Sequence, residues 1–143
     1  MSTIELSENH RRSISITLQL VDKALCEWSD WCDGRVQSGV LFREEDTLSD
    51  SQKTELRNQI AAIRQLMLRL RDDLSLSVKT IFTARSVATH SSLLWEMLTE
   101  LNSRQLQAFG WVPENLGRYL DPVGQQLTQQ MNAITALLSE THS

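Results

Sequence analysis

The sequence predicts an all-α fold: an up-down-up-down four-helix bundle with a short helical segment, about residues 103–120, capping one end. Three observations predict it. Apolar residues recur at alternating intervals of three and four along most of the chain, which sets them on single helix faces. Only five glycines and two prolines occur in 143 residues, too few for the tight turns of a strand-rich fold. The breaks between periodic stretches are short, so successive helices should run antiparallel within one domain spanning residues 1–143.

The first stripe is Ile14, Leu18, Val21, Leu25, Trp28 and Cys32. Ser7 is placed to cap a helix over about 8–32, and Gly34 to end it. A connector follows from Gly34 to Thr47, its apolar part Val40-Leu41-Phe42. Ser49 and Gln52 then have the spacing of a capping box. Behind them Leu56, Ile60, Ile63, Met67, Leu70 and Leu74 define a second helix over about 50–74.

No glycine or proline separates this helix from the third. A single helix from 50 to 101 would be about 78 Å long, out of scale for a domain of this size. A tight break is therefore expected, with Ser75 or Ser77 capping a third helix over about 78–101. Its stripe runs from Ile81 through Ser91 to Leu101. Gly110 and Pro113 interrupt the chain next, leaving 103–120 as short helical turns. Asp121-Pro122 has the form of a helix start, with aspartate at the cap and proline in the first turn. Val123, Leu127, Met131, Ile134 and Leu138 then mark the last helix, about 122–140. A homodimer sharing one long central helix is the alternative architecture.

Hydrophobic residues make up 41% and charged residues 22%, the balance of a globular domain. A formal net charge of −4 gives no general attraction to nucleic acid or to an anionic membrane. No apolar run reaches the roughly 18–20 residues that span a bilayer. The opening MSTIELSENHRR has no apolar run of the kind a secretory signal carries, and Cys26 and Cys32 make no disulfide framework. A cytoplasmic chain is the expectation.

Motifs for chemistry are missing. There is no Glu-x-x-His, no phosphate-binding glycine loop and no nucleophile elbow. His10, His90 and His142 are far apart in sequence and read as solvent-facing or singly hydrogen-bonded, and Cys32 reads as a small buried thiol on the apolar stripe. No metal, cofactor or catalytic residue is expected, and an enzyme is left without support.

Two groups of residues are candidates for binding. Arg57, Arg64 and Arg71 recur every seven residues beside the seam of the second helix. They make either a docking ribbon for an acidic partner or a phosphorylated ligand, or ion pairs with acids on a neighbouring helix such as Asp22 or Glu27. Trp28, Trp31, Trp111 and Tyr119 (with Phe109) should gather toward one pole under the 103–120 segment, with Trp95 nearer the middle. There they fill the end of the core, anchor an interface or line a pocket. Ala84, Ala88, Ser91 and Ser92 give the third helix a surface of small residues, suited to close helix approach or to a bulky neighbour. The function these features predict is a non-enzymatic protein–protein interaction or self-association module. The alternative is a bundle that binds a small molecule in a tryptophan-lined pocket, with Glu27, Glu96 or His90 as the groups that would make it catalytic.

Overall fold

A computed structural model describes residues 4–139. It is all-α: helices α1 (Glu8–Cys32), α2 (Asp50–Asp73), α3 (Thr83–Thr99), the single turn α4 (Ser103–Leu106) and α5 (Glu114–Ser139), with one 3-10 turn at Gln107–Phe109. Four main helices with a short helical segment before the last are the elements expected. The chain divides into two compact units, one running to Val78 and one starting at Lys79. His142 lies outside the described residues.

The first unit is a pair of helices, α1 packed on α2. Ser7 caps α1, its hydroxyl accepting from the His10 N–H at 3.2 Å. At the other end the Arg35 N–H donates to the Asp30 carbonyl and the Gly34 N–H to the Trp31 carbonyl. This paired closure needs a left-handed residue, and Gly34 supplies it at φ +76°. The capping box of α2 forms as the sequence indicates: the Gln52 N–H donates to Ser49 Oγ, and the Ser49 N–H to Gln52 Oε1. Arg57 reaches from α2 to the end of α1, donating to the Cys32 carbonyl at 2.6 Å. A cation there satisfies a carbonyl without a helical partner and complements the negative end of the helix dipole. Leu25, at 0% exposure, Cys32 and Ile60 are the buried apolar side chains of the pair.

The break after α2 corrects the expected capping. Leu76 N–H donates to the Arg71 carbonyl and Ser75 N–H to the Asp72 carbonyl, the same paired closure as at Gly34. Ser75 is thus the left-handed terminator of α2, at φ 52°, and not the cap of a third helix. Without glycine, this closure carries backbone strain. Ser75→Gly is expected to stabilise the protein by about 0.5–1 kcal/mol, read as a higher urea midpoint with an unchanged slope.

The third helix starts at Thr83, five residues later than the spacing suggested, so Ile81 precedes it and the break is not tight. The stretch Val78-Lys79-Thr80-Ile81 is rich in β-branched side chains, which lose rotamer freedom in a helix, and no side chain offers a cap. Helix α3 ends at Thr99.

In the second unit α3 packs along α5. Contacts of Ser91 with Thr135 and of Leu101 with Gly124 fix an antiparallel register. The small residues of α3 bring the two helices close: buried Ser91 donates to the Ala88 carbonyl and shares a 2.7 Å hydrogen bond with Thr135 Oγ1. On α5, Gly124 admits the backbone just past the end of α3, and Gly117 admits α4. A Cβ on Gly124 would sit 2.5 Å from the Leu101 carbonyl oxygen, and one on Gly117 3.1 Å from Ser103 Cβ.

The start of α5 is a second correction. The helix begins at Glu114 and carries Pro122 inside it, where the sequence suggested a start at Asp121-Pro122. Asp121 caps something else: its carboxylate accepts from both the N–H and the hydroxyl of Ser103, each at 2.8 Å. Asn102 caps the same turn through the Gln105 N–H. The aspartate therefore ties α4 to α5, and α5 tolerates the one hydrogen bond that proline removes.

Candidate functional site

Residues 26–46 build the best-defined surface feature of the first unit. After Gly34 the connector turns into a small hairpin closed by a bridge between Ser38 and Arg43. The Gly39 N–H donates to the Phe42 carbonyl and the Glu44 N–H to the Gln37 carbonyl, both at 2.9 Å. The Phe42 ring folds over Gly39, where a Cβ would come within 2.7 Å of it. A side chain at position 39 would push the ring aside.

Glu44 fastens this hairpin to α1. One carboxylate oxygen accepts from the Trp31 indole N–H at 3.0 Å and from the Gln37 N–H at 2.8 Å. Trp31 is thus a half-buried anchor for the connector. Arg35 adds a surface clamp, bonding Asp30 through two nitrogens and also reaching Asp33, and these carboxylates raise its pKa further above an already high value.

The other side of the connector is tied to α2. Lys53 donates to Asp46 at 2.6 Å, and both side chains are partly shielded. The Lys53 hydrogen bond pulls the Asp46 carboxyl below its usual value; partial desolvation opposes this, and the Leu48 N–H adds to it. A carboxyl lowered in the folded state stabilises the fold above its ordinary pKa. That contribution fades as pH falls through the lowered value. The urea midpoints of the wild type and Asp46→Asn should therefore differ at neutral pH and converge in acid, below the usual carboxylate range.

Between connector and helices lies an open groove of about 620 Å³. Trp28, Trp31, Val36, Leu48 and Leu56 make its apolar lining, and Glu44, Glu45 and Asp46 its acidic edge. Beside it the hairpin tip holds Val40 and Leu41 in solvent, 99% and 97% exposed. Leaving two such side chains and much of Phe42 in water on an ordered turn is unusual, because apolar surface gains about 25 cal/mol per Å² on burial.

The remaining expected site residues lie elsewhere. Trp95 on α3, Trp111 in the loop before α5 and Tyr119 on α5 belong to the second unit and are all exposed, as is Phe109. Among the arginines, Arg57 is engaged by Cys32 and Asp33, in place of the suggested Asp22 or Glu27, and Arg71 by Asp72. Arg64 is half-buried with no ion pair among the described residues. His10 and His90 are exposed, Cys26 is an exposed thiol and Cys32 a buried one. Among the described residues no three His, Cys, Asp or Glu side chains converge on a metal site, and no helix is long and apolar enough to cross a membrane. The sequence signal for the groove was Trp28 and Trp31 three residues apart. Glu44 and the exposed tip carried no periodic signal, only an apolar triplet between Gly39 and the four charged residues Arg43 to Asp46. Compared with protein-family models, with curated proteins and with solved structures, the chain matches none of them.

Proposed function

We propose that this protein is a non-enzymatic helical interaction module of the cytoplasm, one domain that works by docking on another protein surface or on itself. The observation that carries the proposal is the ordered apolar tip at Val40 and Leu41 beside the tryptophan groove. The helices add to it. Taken by itself, each helix pair buries one seam, while Ile16 and Leu20 on α1 and Met97 on α3 remain exposed. Contact surfaces of this kind are anchored by aromatic and aliphatic side chains in slots, with charged residues at the rim. Two unpaired cysteines suit a reducing compartment.

The test is sedimentation velocity of the full chain over a wide concentration range, with affinity capture from the native cell alongside. The expected result is a mass that rises with concentration, or one protein retained in stoichiometric amount. A monomer at every concentration that retains nothing would overturn the proposal.

The groove also supports a second reading, a site for a small apolar molecule. Its volume lies within the range of about 300–1,000 Å³ usual for such sites. A ligand there would change the emission of Trp28 and Trp31, and Trp31→Ala would abolish the change.

A further inference from the structure

We infer that the groove and the tip are two halves of one contact: the Val40-Leu41-Phe42 tip of one copy seats in the Trp28/Trp31 groove of a second copy, reciprocally, about a two-fold axis. This rests on the interaction-module reading and names the partner.

Four features of the first unit support it. The tip is preformed, held by the Ser38–Arg43 bridge and by the Phe42 ring over Gly39, so little conformational freedom is lost on insertion. Val40 and Leu41 stand in solvent while the adjacent groove in the same copy stays open, so the tip does not fill its own groove. A surface carrying both a knob and a slot is self-complementary, which is what a two-fold interface requires. The charges also match. Arg43 flanks the tip and pairs only with Glu45 among the described residues, at 3.3 Å on an exposed surface. Glu45 lies on the groove edge, so insertion exchanges that ion pair between copies and loses none.

Size is adequate as well. The three tip side chains present roughly 400 Å². Doubled by symmetry and added to the smaller surface of the groove, this comes to roughly 1,000–1,200 Å², the lower end for a specific interface. The acidic run Glu44-Glu45-Asp46 beside the tip disfavours an anionic lipid surface as the occupant.

The experiment measures dimer dissociation of the full chain by sedimentation, with circular dichroism to confirm retained helicity. Leu41→Asp alters the tip and Val36→Asp the groove, both at exposed positions. Each is expected to weaken the dimer at least tenfold. Arg43→Glu alone should weaken it too, as should Glu45→Arg alone. An equimolar mixture of these two variants should recover the dimer, because each then meets the opposite charge.

Tip and groove variants that dimerise like the wild type would overturn the pairing while leaving self-association standing. A wild-type monomer that retains one partner in capture would overturn the pairing but not the interaction reading; a monomer retaining nothing would overturn both. Binding to phosphatidylcholine–phosphatidylserine vesicles, lost in Leu41→Asp with the mass unchanged, would overturn it in favour of a lipid occupant.

Discussion

Leu25→Ala is expected to cost about 3–5 kcal/mol, at the upper end of the range for leucine truncations in cores. Leu25 is fully enclosed, and Cys32 and Ile60 are the other buried apolar side chains of the α1–α2 pair. A seam this thin has few neighbours able to move into the cavity, so most of the lost contact is not recovered. Whole-domain stabilities are about 5–15 kcal/mol, which makes the loss large enough to lower the helical content at room temperature. Denaturant titration followed by circular dichroism checks it. Leu20→Ala, on the exposed side of the same helix, is the control and should change stability by less than about 0.5 kcal/mol. Equal effects from the two substitutions would show that the seam is not where α1 is held.

Gly124→Ala is the second large effect, and its sign runs against helix propensity. In a free helix, alanine is preferred over glycine by about 1 kcal/mol. Here the added Cβ would meet the Leu101 carbonyl oxygen at 2.5 Å, a backbone atom at the end of the α3 segment that has no easy direction in which to yield. Overpacking of this kind costs about 1–3 kcal/mol, and forcing the helices apart also strains the Ser91–Thr135 hydrogen bond and the Ser103–Asp121 tie. A net loss of about 1–2 kcal/mol is expected. Gly117→Ala provides the contrast. Its Cβ would sit 3.1 Å from Ser103 Cβ, which calls for a shift of only a few tenths of an ångström, so a smaller loss than at Gly124 is expected. Thermal unfolding of the two variants side by side decides the matter.

Periodicity made the helices legible because each main helix shows an apolar stripe and three of the relevant ends carry local chemistry: Ser7, Gly34 and the Ser49/Gln52 box all act where their types suggest. Local chemistry misled where a residue serves a distant element. Asp121 looked like the cap of its own helix because aspartate before proline fits that role, yet it caps Ser103 across the α4–α5 contact. Ser75 looked like a start signal, since serine has that preference, but it adopts the left-handed conformation that glycine usually takes. The close approaches at Gly117 and Gly124 were invisible for a similar reason. Glycine within a helix reads only as a weak point until the opposing backbone is known.

The candidate site was half legible. Trp28 and Trp31 were singled out by their spacing, and the groove contains both. Its other wall comes from a connector without periodicity, where Glu44 joins two indole and backbone donors only through folding. The apolar triplet Val40-Leu41-Phe42 was readable as a loop, but its exposure depends on the hairpin that lifts it away from α1 and α2.

The most direct measurement of that surface is a photo-crosslink from position 41 in the full chain, made in an equimolar mixture of isotopically light and heavy protein. The expected product is a mixed-mass dimer in which position 41 of one copy is joined to groove residues such as Trp28, Trp31 or Leu56 of the other. Crosslinks confined to single copies, or mixed dimers joined only away from the groove, would contradict the tip-in-groove contact.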